Sequence, residues 1–165
     1  MTPDQLAERL KERFPDLIEA RSEVTVTVTA GELLEALRWL RSEADLSFRF
    51  LSDLTATDWP GLNPRMWVAY HLQSIEHAHR VRLKVGLAGD DLRVPSVTSL
   101  YPTANWHERE VFDFFGIAFE GHPDLRRIEL PEGWVGHPLR KDHPLAGVPT
   151  QYKGAFIPPP DERGS

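Results

Sequence analysis

Apolar residues at every second position predict most of the strands of this chain. The clearest case is the run Val24-Thr25-Val26-Thr27-Val28, in which every residue is β-branched. The same alternation marks residues 66–72 and 81–87, which are separated by the short stretch 74–79. Because their order and period match those of neighbouring antiparallel strands, we expect the two segments to form a β-hairpin.

Weaker patterns predict two more strands. Residues 17–20 form a short candidate, and Leu46, Phe48 and Phe50 alternate with polar residues. We therefore expect a strand to begin near Leu46. It should run toward the turn-forming cluster at 58–64, which contains two prolines and a glycine.

Apolar residues at helical spacing predict three helices, and each of them begins at a pair of capping residues. In such a capping box, two side chains three residues apart satisfy each other's backbone N–H groups. The predicted pairs are Thr2 and Gln5, Thr29 and Glu32, and Asn105 and Glu108. Gly116 is suited to end the third helix, because glycine readily adopts the left-handed conformation that often follows a helix.

The order of these elements predicts the fold class. One helix, two strands, a second helix and three strands are followed by a third helix, an order typical of a two-layer α/β sandwich. We expect an α+β fold with a mixed sheet of about five strands and helices packed on one face. Residues 1–120 would form this core domain.

The C-terminal part of the chain has a different composition. Residues 123–165 contain 8 of the 14 prolines and show little hydrophobic period. Such a segment can form neither a long helix nor a central strand. The sequence therefore predicts an extended, proline-rich tail over residues 121–165, which is mobile in the isolated chain and ordered on a partner.

Composition excludes several classes of protein. Of 165 residues, 41% are hydrophobic and 27% are charged, as in an ordinary soluble domain. No segment approaches the roughly 18 consecutive apolar residues of a membrane span, and the N-terminus lacks the order of a signal peptide, so we expect a cytoplasmic chain. The net charge is −6 with no basic half, so nucleic acid is not an expected partner. The absence of cysteine excludes disulfides and cysteine-ligated clusters.

Histidine and carboxylate patterns give little evidence of catalysis. The seven histidines lack the spacing of a metal site, and no second histidine follows His107 by one helical turn. Glu108, Glu110 and Asp113 could act in acid–base chemistry if one of them were desolvated. The alternative is that they complement the helix dipole and that Asp113 pairs with Arg109. We expect no catalytic residue, bound cofactor or metal in this chain.

Five aromatic residues lie within residues 106–119. They cannot share one helical face, because Trp106 and Phe112 fall outside the face that carries Phe114 and Phe115. A short helix that is apolar on more than one side is buried on more than one side. In a small two-layer domain, we expect a partner protein to cover the second side.

Three spaced motifs in this region resemble the signature of the C subunit of proton-pumping NADH–quinone oxidoreductase, respiratory complex I. The first is WHEREVFDFFGI at 106–117, the second GHPDLRRI at 121–128, and the third GHPLRKD at 136–142. Upstream, YPTAN at 101–105 and LTATD at 54–58 also fit the family. The rest of the chain agrees with the family in length and in the order of elements.

The resemblance implies a role that the residues alone do not give. Members of the family are cofactor-free components of the peripheral arm, in the module between the iron–sulfur relay and the membrane arm. They pack against the D subunit, which helps to form the quinone site, and the B and I subunits are expected nearby. Iron–sulfur clusters, FMN, NADH and quinone would belong to the wider complex. The chain would meet the membrane only through that complex, on its cytoplasmic face.

The third helix and the tail are the parts expected to contact partners. The expected interface residues are Trp106, Glu108, Arg109, Glu110, Asp113, Phe115, His122, Arg126, Arg127, His137, Pro138, Arg140, Lys141 and Asp142. A proline-rich segment has lost part of its conformational freedom in advance, so laying it along a partner costs less entropy. The alternative is that the arginines of this set tie the tail to its own domain.

Two other functions are compatible with the sequence. The equivalent component of a ferredoxin-fed or hydrogenase-type relative would share the same motifs. A stand-alone acid–base enzyme would use Glu108 and Glu110. Co-purification with a protein similar to the D subunit would separate an assembly protein from such an enzyme.

Overall fold

The computed structural model describes residues 2–89, 91–144, 150–152 and 155–157. The first seven helices and strands follow one another in the predicted order. The helices are α1 (Pro3–Lys11), α2 (Leu33–Ser42) and α3 (Ala104–Phe115). The strands are β1 (Ile18–Ala20), β2 (Glu23–Val28), β3 (Phe50–Asp58), β4 (Met66–Ser74), β5 (His79–Leu87), β6 (Arg93–Pro95), β7 (Ala118–Glu120), β8 (Thr150–Tyr152) and β9 (Ala155–Ile157).

Five strands form one mixed sheet in the order β1-β2-β5-β4-β3. β2 and β5 are parallel, whereas the other neighbouring pairs are antiparallel. β4 and β5 form the predicted hairpin, in which Ser74 pairs with His79 across the turn. The prediction of a mixed five-stranded sheet in an α+β fold is therefore confirmed.

One face of the sheet is buried, and the helices pack against it. Val26, Leu83, Tyr70 and Leu54 form one row across four neighbouring strands, and each is at most 1% exposed. Leucines of the first two helices belong to the same buried cluster: Leu6 and Leu10 of α1, and Leu33, Leu37 and Leu40 of α2. None of the helices in the described ranges has the length and apolar content needed to span a bilayer.

Two of the three predicted capping boxes are present. Thr2 and Gln5 form a full capping box at the start of α1. Thr29 and Glu32 exchange the same hydrogen bonds immediately before α2. These local pairs were predictable because all of their atoms lie within one turn of the chain.

β3 begins at Phe50, four residues later than predicted. Leu46 and Phe48 are buried, but Ser47 between them is also buried and Phe50 is 41% exposed, so the predicted alternation is not observed. Leu46 and Phe48 belong to the turn after α2. The Phe48 N–H donates to the carbonyl of Leu40, and Ser47 has a positive φ of 50°. The backbone of this turn donates to a carbonyl group at the end of α2, where carbonyl groups lack partners within the helix. These residues are therefore not part of the sheet.

β6 and β7 form a separate parallel pair that the sequence pattern does not predict. Each strand has three residues, too few to show a period. Val94 pairs with Phe119, and both side chains are buried. The pair places the chain before α3 beside the chain after it, so α3 is held at both ends.

Candidate functional site

α3 packs against the edge strand β3 and carries a fully buried carboxylate, Glu108. One of its oxygens accepts the backbone N–H of Val97 at 2.7 Å, and the other accepts the hydroxyl of Ser96 at 2.7 Å. Glu108 therefore fixes the loop before α3 to the middle of the helix. The predicted capping box with Asn105 is wrong, because Glu108 points into the core and α3 begins at Ala104 without a side-chain cap.

Burial raises the pKa of Glu108 to about 7, although its two hydrogen bonds oppose the shift. His122 Nε2 lies 4.0 Å from the Glu108 carboxylate and donates to the carbonyl of Asn105. The Nδ1 atom of His122 accepts the backbone N–H of Asp124, which assigns the donor role to Nε2. Burial also raises the pKa of Tyr70 well above its ordinary value, and its hydroxyl has no hydrogen-bond partner among the described residues.

Asp113 is the second buried carboxylate of α3, and it holds the segment that follows β7. One of its oxygens accepts three consecutive backbone N–H groups, those of Ile128, Glu129 and Leu130, at 2.9–3.0 Å. The other oxygen accepts a hydrogen bond from Arg127 Nη1 at 2.7 Å. Burial alone would raise the pKa of Asp113, but these hydrogen bonds outweigh it and hold the pKa below its ordinary value. Asp113 is therefore an ionised anchor for this segment.

Further contacts close the segment over the end of α3. Arg127 also donates to the carbonyls of Asp113 and Gly136, at 3.3 and 3.1 Å. His137 Nδ1 donates to the same Asp113 carbonyl at 2.9 Å. Gly116 has a φ of 75°, and a Cβ atom there would lie 2.6 Å from the His137 ring. Gly116 therefore ends α3 as predicted and also makes room for His137.

On its outer side, α3 exposes 64% of Trp106. The guanidinium carbon of Arg109 lies 5.1 Å from the centre of the Trp106 ring. Arg109 Nε also donates to the carbonyl of Arg126 at 3.1 Å. Arg126 in turn forms a bidentate pair with Asp124, at 2.6 and 2.7 Å. The exposed tryptophan is therefore supported by arginines from both the helix and the following segment.

We refer to Trp106, Arg109, Glu110 and Arg126 as the Trp106 surface. The first three share one helical face, because residues three and four positions apart are neighbours on a helix. Aromatic residues and arginine are enriched at the centres of protein interfaces. The predicted pair of Arg109 with Asp113 is wrong, since Asp113 turns inward while Arg109 packs on Trp106.

The residues around Lys141 are anchored to Asp58, the last residue of β3. The Lys141 N–H donates to the Asp58 carboxylate at 2.7 Å, and Arg65 forms a bidentate pair with the same carboxylate at 2.6 and 2.7 Å. Arg65 also contacts Asp142 at 3.1 Å, and Asp142 pairs with Arg140 at 3.2 Å. Pairing with Arg65 holds the pKa of the Asp58 carboxyl below its ordinary value.

The fourteen predicted interface residues are distributed between surface and interior. The exposed ones are Trp106, Glu110, Arg126, Lys141 and Asp142, and the partly exposed ones are Arg109, His122, Arg127, His137, Pro138 and Arg140. The buried ones are Glu108, Asp113 and Phe115. These three side chains are directed into this chain, which corrects their assignment to an interface.

The arginine contacts favour the alternative in which arginines tie the tail to its own domain. Arg127 binds Asp113, and Arg140 joins the ion pairs that reach β3. Residues 121–144 contain no helix or strand, but these contacts hold them against α3 and β3. Of the rest of the predicted tail, residues 145–149, 153–154 and 158–165 lie outside the described residues.

An acid–base site of Glu108 and Glu110 is not formed. Both oxygens of Glu108 accept hydrogen bonds inside the chain, and the residue has no exposed surface. Glu110 is exposed on the outer side of α3. In the part of the chain that the structure describes, no three histidine or carboxylate side chains are grouped to hold a metal ion.

Sequence reasoning missed Asp58, Arg65 and Ser96 as parts of this region. Asp58 is the last residue of the LTATD motif, so the sequence marks it as part of the family pattern. The motif does not indicate which residues the Asp58 carboxylate contacts. Arg65 and Ser96 lie in or beside turns, where no periodic pattern exists. Only the fold brings their partners to them.

The family described as "Respiratory-chain NADH dehydrogenase, 30 Kd subunit" matches residues 26–149. The C subunit of NADH-quinone oxidoreductase from Mycobacterium sp. (strain KMS) is 48% identical over 148 residues, which cover 89% of this chain and 64% of that protein. The chain thus spans less than two thirds of that relative. The proteins of the same name from Mycobacterium ulcerans (strain Agy99) and Salinispora tropica are 46% and 42% identical. Those alignments cover 97% and 98% of this chain, and 72% and 69% of the relatives.

Two solved structures share the fold. One is described as "Nqo5 of the trypsin-resistant fragment (1-134) in P63 form", with 28% identity and a TM-score of 0.65 over 76% of this chain and 100% of that chain. The other belongs to the "membrane-bound sulfane sulfur reductase (MBS), an archaeal respiratory membrane complex". It has 27% identity and a TM-score of 0.67, over 86% of this chain and 85% of that chain.

Proposed function

This chain belongs to the family of the 30 kDa subunit of respiratory-chain NADH dehydrogenase, and we propose that it is a structural component of a proton-pumping NADH–quinone oxidoreductase. Its role is that of the C subunit, a peripheral-arm protein that binds no cofactor. It supports electron transfer from NADH to quinone by holding neighbouring subunits in place. Those subunits bind the iron–sulfur clusters, FMN, NADH and quinone, and no residue of this chain is assigned a catalytic role.

The observation that carries this proposal is the contrast between the two sides of α3. The inner side uses Glu108 and Asp113 to fix the loops around the helix. The outer side leaves Trp106 largely exposed beside Arg109. Exposed tryptophan and arginine are the residue types that dominate binding energy at protein interfaces. Their support from fixed loops reduces the entropy that binding would cost.

We further propose that the Trp106 surface and residues 121–144 face the D subunit, with the B and I subunits nearby. In this arrangement residues 1–120 are the core domain, and residues 121–165 act as the partner-binding segment. The chain meets the membrane only through the assembled complex, at its cytoplasmic face. Because the tail contacts within the chain preform this surface, docking requires little rearrangement.

Co-expression with the D, B and I subunits from the same genome tests the proposal. A tag on this chain should recover the D subunit, and Trp106→Ala should weaken that binding by about tenfold or more, as expected for an aromatic anchor. Ile75→Ala is the control, because Ile75 is 77% exposed in the turn between β4 and β5, outside the Trp106 surface. If both variants bind like the wild type, the proposed surface is wrong. If the wild type recovers no D subunit, the proposed role is wrong.

A second candidate is the equivalent component of a membrane complex with another electron donor. Structural similarity to the archaeal respiratory membrane complex favours it. The higher sequence identity to the NADH-quinone oxidoreductase relatives favours the first candidate. Purifying the native complex through this chain would separate the two. Quinone reduction with NADH supports the first candidate, and activity with reduced ferredoxin but not with NADH supports the second.

A further inference from the structure

The turn between β3 and β4 meets the segment around Arg140, far from it in the sequence. Leu62 of the turn and Arg140 line one cavity of about 280 Å³, together with Arg65, Met66 and Leu92. We name this cavity the hairpin pocket. The ion pairs and the backbone hydrogen bond described above hold the two segments together, so the pocket is preformed.

Large exposed apolar side chains lie on both segments that form the hairpin pocket. Trp59 and Leu62 are 54% and 58% exposed on the turn, and Leu139, next to Arg140, is 49% exposed. Single exposed apolar residues are ordinary on a protein surface. Here Leu62 lines the pocket itself, and Trp59 and Leu139 lie on the two segments that form it, so exposed apolar side chains occur on both of these segments.

Two guanidinium groups line the same pocket and retain hydrogen-bond donors. Arg65 uses Nε and Nη2 for Asp58 and Asp142, and Arg140 uses Nε and Nη2 for Asp142. Neither Nη1 group donates to another described residue. These two arginines and two aspartates balance in charge, and the exposed Lys141 beside them adds a positive charge. A carboxylate is the group that would match both the charge and the donors.

We propose that the hairpin pocket binds a segment of another protein of the complex, in which a large apolar side chain stands next to a carboxylate. The apolar side chain packs against Leu62 and Leu92, and the carboxylate accepts hydrogen bonds from Arg65 and Arg140. The volume of about 280 Å³ is large enough for one side chain and lies at the lower end of the range of small-molecule sites, which begins at roughly 300 Å³. This inference rests on the proposed function, to which it adds a second contact with the complex.

A different protein of the complex fits the hairpin pocket better than a second copy of this chain does. Symmetric pairing of two copies would set the same residues against each other, and their aspartates already pair with Arg65 and Arg140, so a second copy would supply no free carboxylate from this region. One uninterrupted segment of the chain, from Arg126 to Arg140, links the Trp106 surface to the pocket. A partner that covers the first surface can therefore extend along this segment to the pocket.

Photo-crosslinking in the assembled complex tests the inference. A benzophenone amino acid replaces Leu62 in the full chain, which is co-expressed with the other subunits and irradiated as the purified complex. We expect a cross-link to a peptide of another subunit that carries an aspartate, a glutamate or its own C-terminal carboxylate beside the linked residue. A cross-link to a second copy, to this chain's own residues after 144, or to no peptide at all would overturn the inference.

Binding measurements separate failure of this inference from failure of the proposed function. Leu62→Glu places a carboxylate against the pocket and should weaken assembly by about tenfold or more, and Arg140→Gln by about fivefold. Ile75→Glu, at an equally exposed apolar position on another turn, should assemble like the wild type. If the wild type and Leu62→Glu assemble equally well, the pocket inference fails and the proposed function stands. If the wild type does not assemble, both fail. Equal melting temperatures of the isolated variants confirm that their folds are intact.

Discussion

Arg127 contacts Asp113 twice, donating to its carboxylate at 2.7 Å and to its backbone carbonyl at 3.3 Å. Asp113 lies in the last turn of α3, where carbonyl groups lack partners within the helix and a positive charge is favourable. One arginine therefore pairs with a buried carboxylate and satisfies a helix end. The same carboxylate also accepts three backbone N–H groups, so its removal should loosen a whole segment.

Asp113→Ala should destabilise the fold by about 3 kcal/mol or more, because three backbone N–H groups and the charge of Arg127 lose their shared acceptor. Hydrogen exchange at the amides of residues 128–130 should accelerate, while β4 and β5 stay protected. Glu110→Ala is the control, since Glu110 is exposed on the same helix and should leave both measurements nearly unchanged. Slow exchange at residues 128–130 in Asp113→Ala would show that another group holds the segment.

Local patterns are sufficient to predict most of the sheet. Alternation identifies β2, β4 and β5 because a strand with one buried face repeats its polarity every two residues. The capping box at Thr2 and the left-handed Gly116 are equally local, since their hydrogen bonds and φ angles involve only neighbouring residues. These features need no knowledge of the rest of the fold.

Contacts between distant segments could not be predicted in this way. In the sequence, nothing distinguishes Glu108 and Asp113 from the charged residues around them. The backbone N–H groups that stabilise these buried carboxylates belong to segments outside α3, which only the fold brings close. Asp58 and Lys141 are 83 positions apart and share no pattern. The motifs therefore located the region of the candidate site, but they did not distinguish its buried anchors from its exposed surface.

The titration of Glu108 should make the fold less stable as the pH rises toward neutrality. Its pKa is about 7 in the folded chain and 4.5 in its ordinary surroundings, because burial disfavours the charged form. The folded state therefore keeps a proton that the unfolded state releases. The contribution of Glu108 to stability should fall between about pH 4.5 and about pH 7, by on the order of 3 kcal/mol in total. Chemical denaturation at several pH values across this range measures the slope.

Glu108→Gln removes this titration, so the stability of the variant relative to the wild type should increase as the pH rises from about 4.5 to about 7. His79 acts in the opposite direction, because burial lowers its pKa and its neutral form stabilises the fold as the pH rises. The difference in the free energy of unfolding between the wild type and Glu108→Gln, measured at each pH, therefore isolates the contribution of Glu108. Glu110→Gln, at an exposed position, should follow the wild type. Identical curves for the wild type and Glu108→Gln would contradict a raised pKa at Glu108.

Gly116→Ala should cost more stability than the same change at another left-handed glycine. A Cβ atom at Gly116 would lie 2.6 Å from the His137 ring, whereas Gly133, with a φ of 85°, has open space around it. Both substitutions carry a backbone cost of about 1 kcal/mol, but only the first also displaces His137 from its hydrogen bond to α3. Thermal unfolding should show an additional loss of about 1 kcal/mol for Gly116→Ala. Equal losses would mean that the ring moves aside without cost.

Asp58→Ala should release the residues around Lys141 from β3. The Asp58 side chain has no exposed surface, and its loss leaves the Lys141 N–H without its acceptor and Arg65 with only Asp142 as a partner. We expect a destabilisation of about 3 kcal/mol and faster hydrogen exchange at Lys141. Arg140→Ala should cost only about 0.5 kcal/mol, because its partner Asp142 is half exposed and such pairs contribute little. Urea denaturation of both variants compares the two roles. A larger loss for Arg140→Ala than for Asp58→Ala would make Arg140 the anchor of this segment.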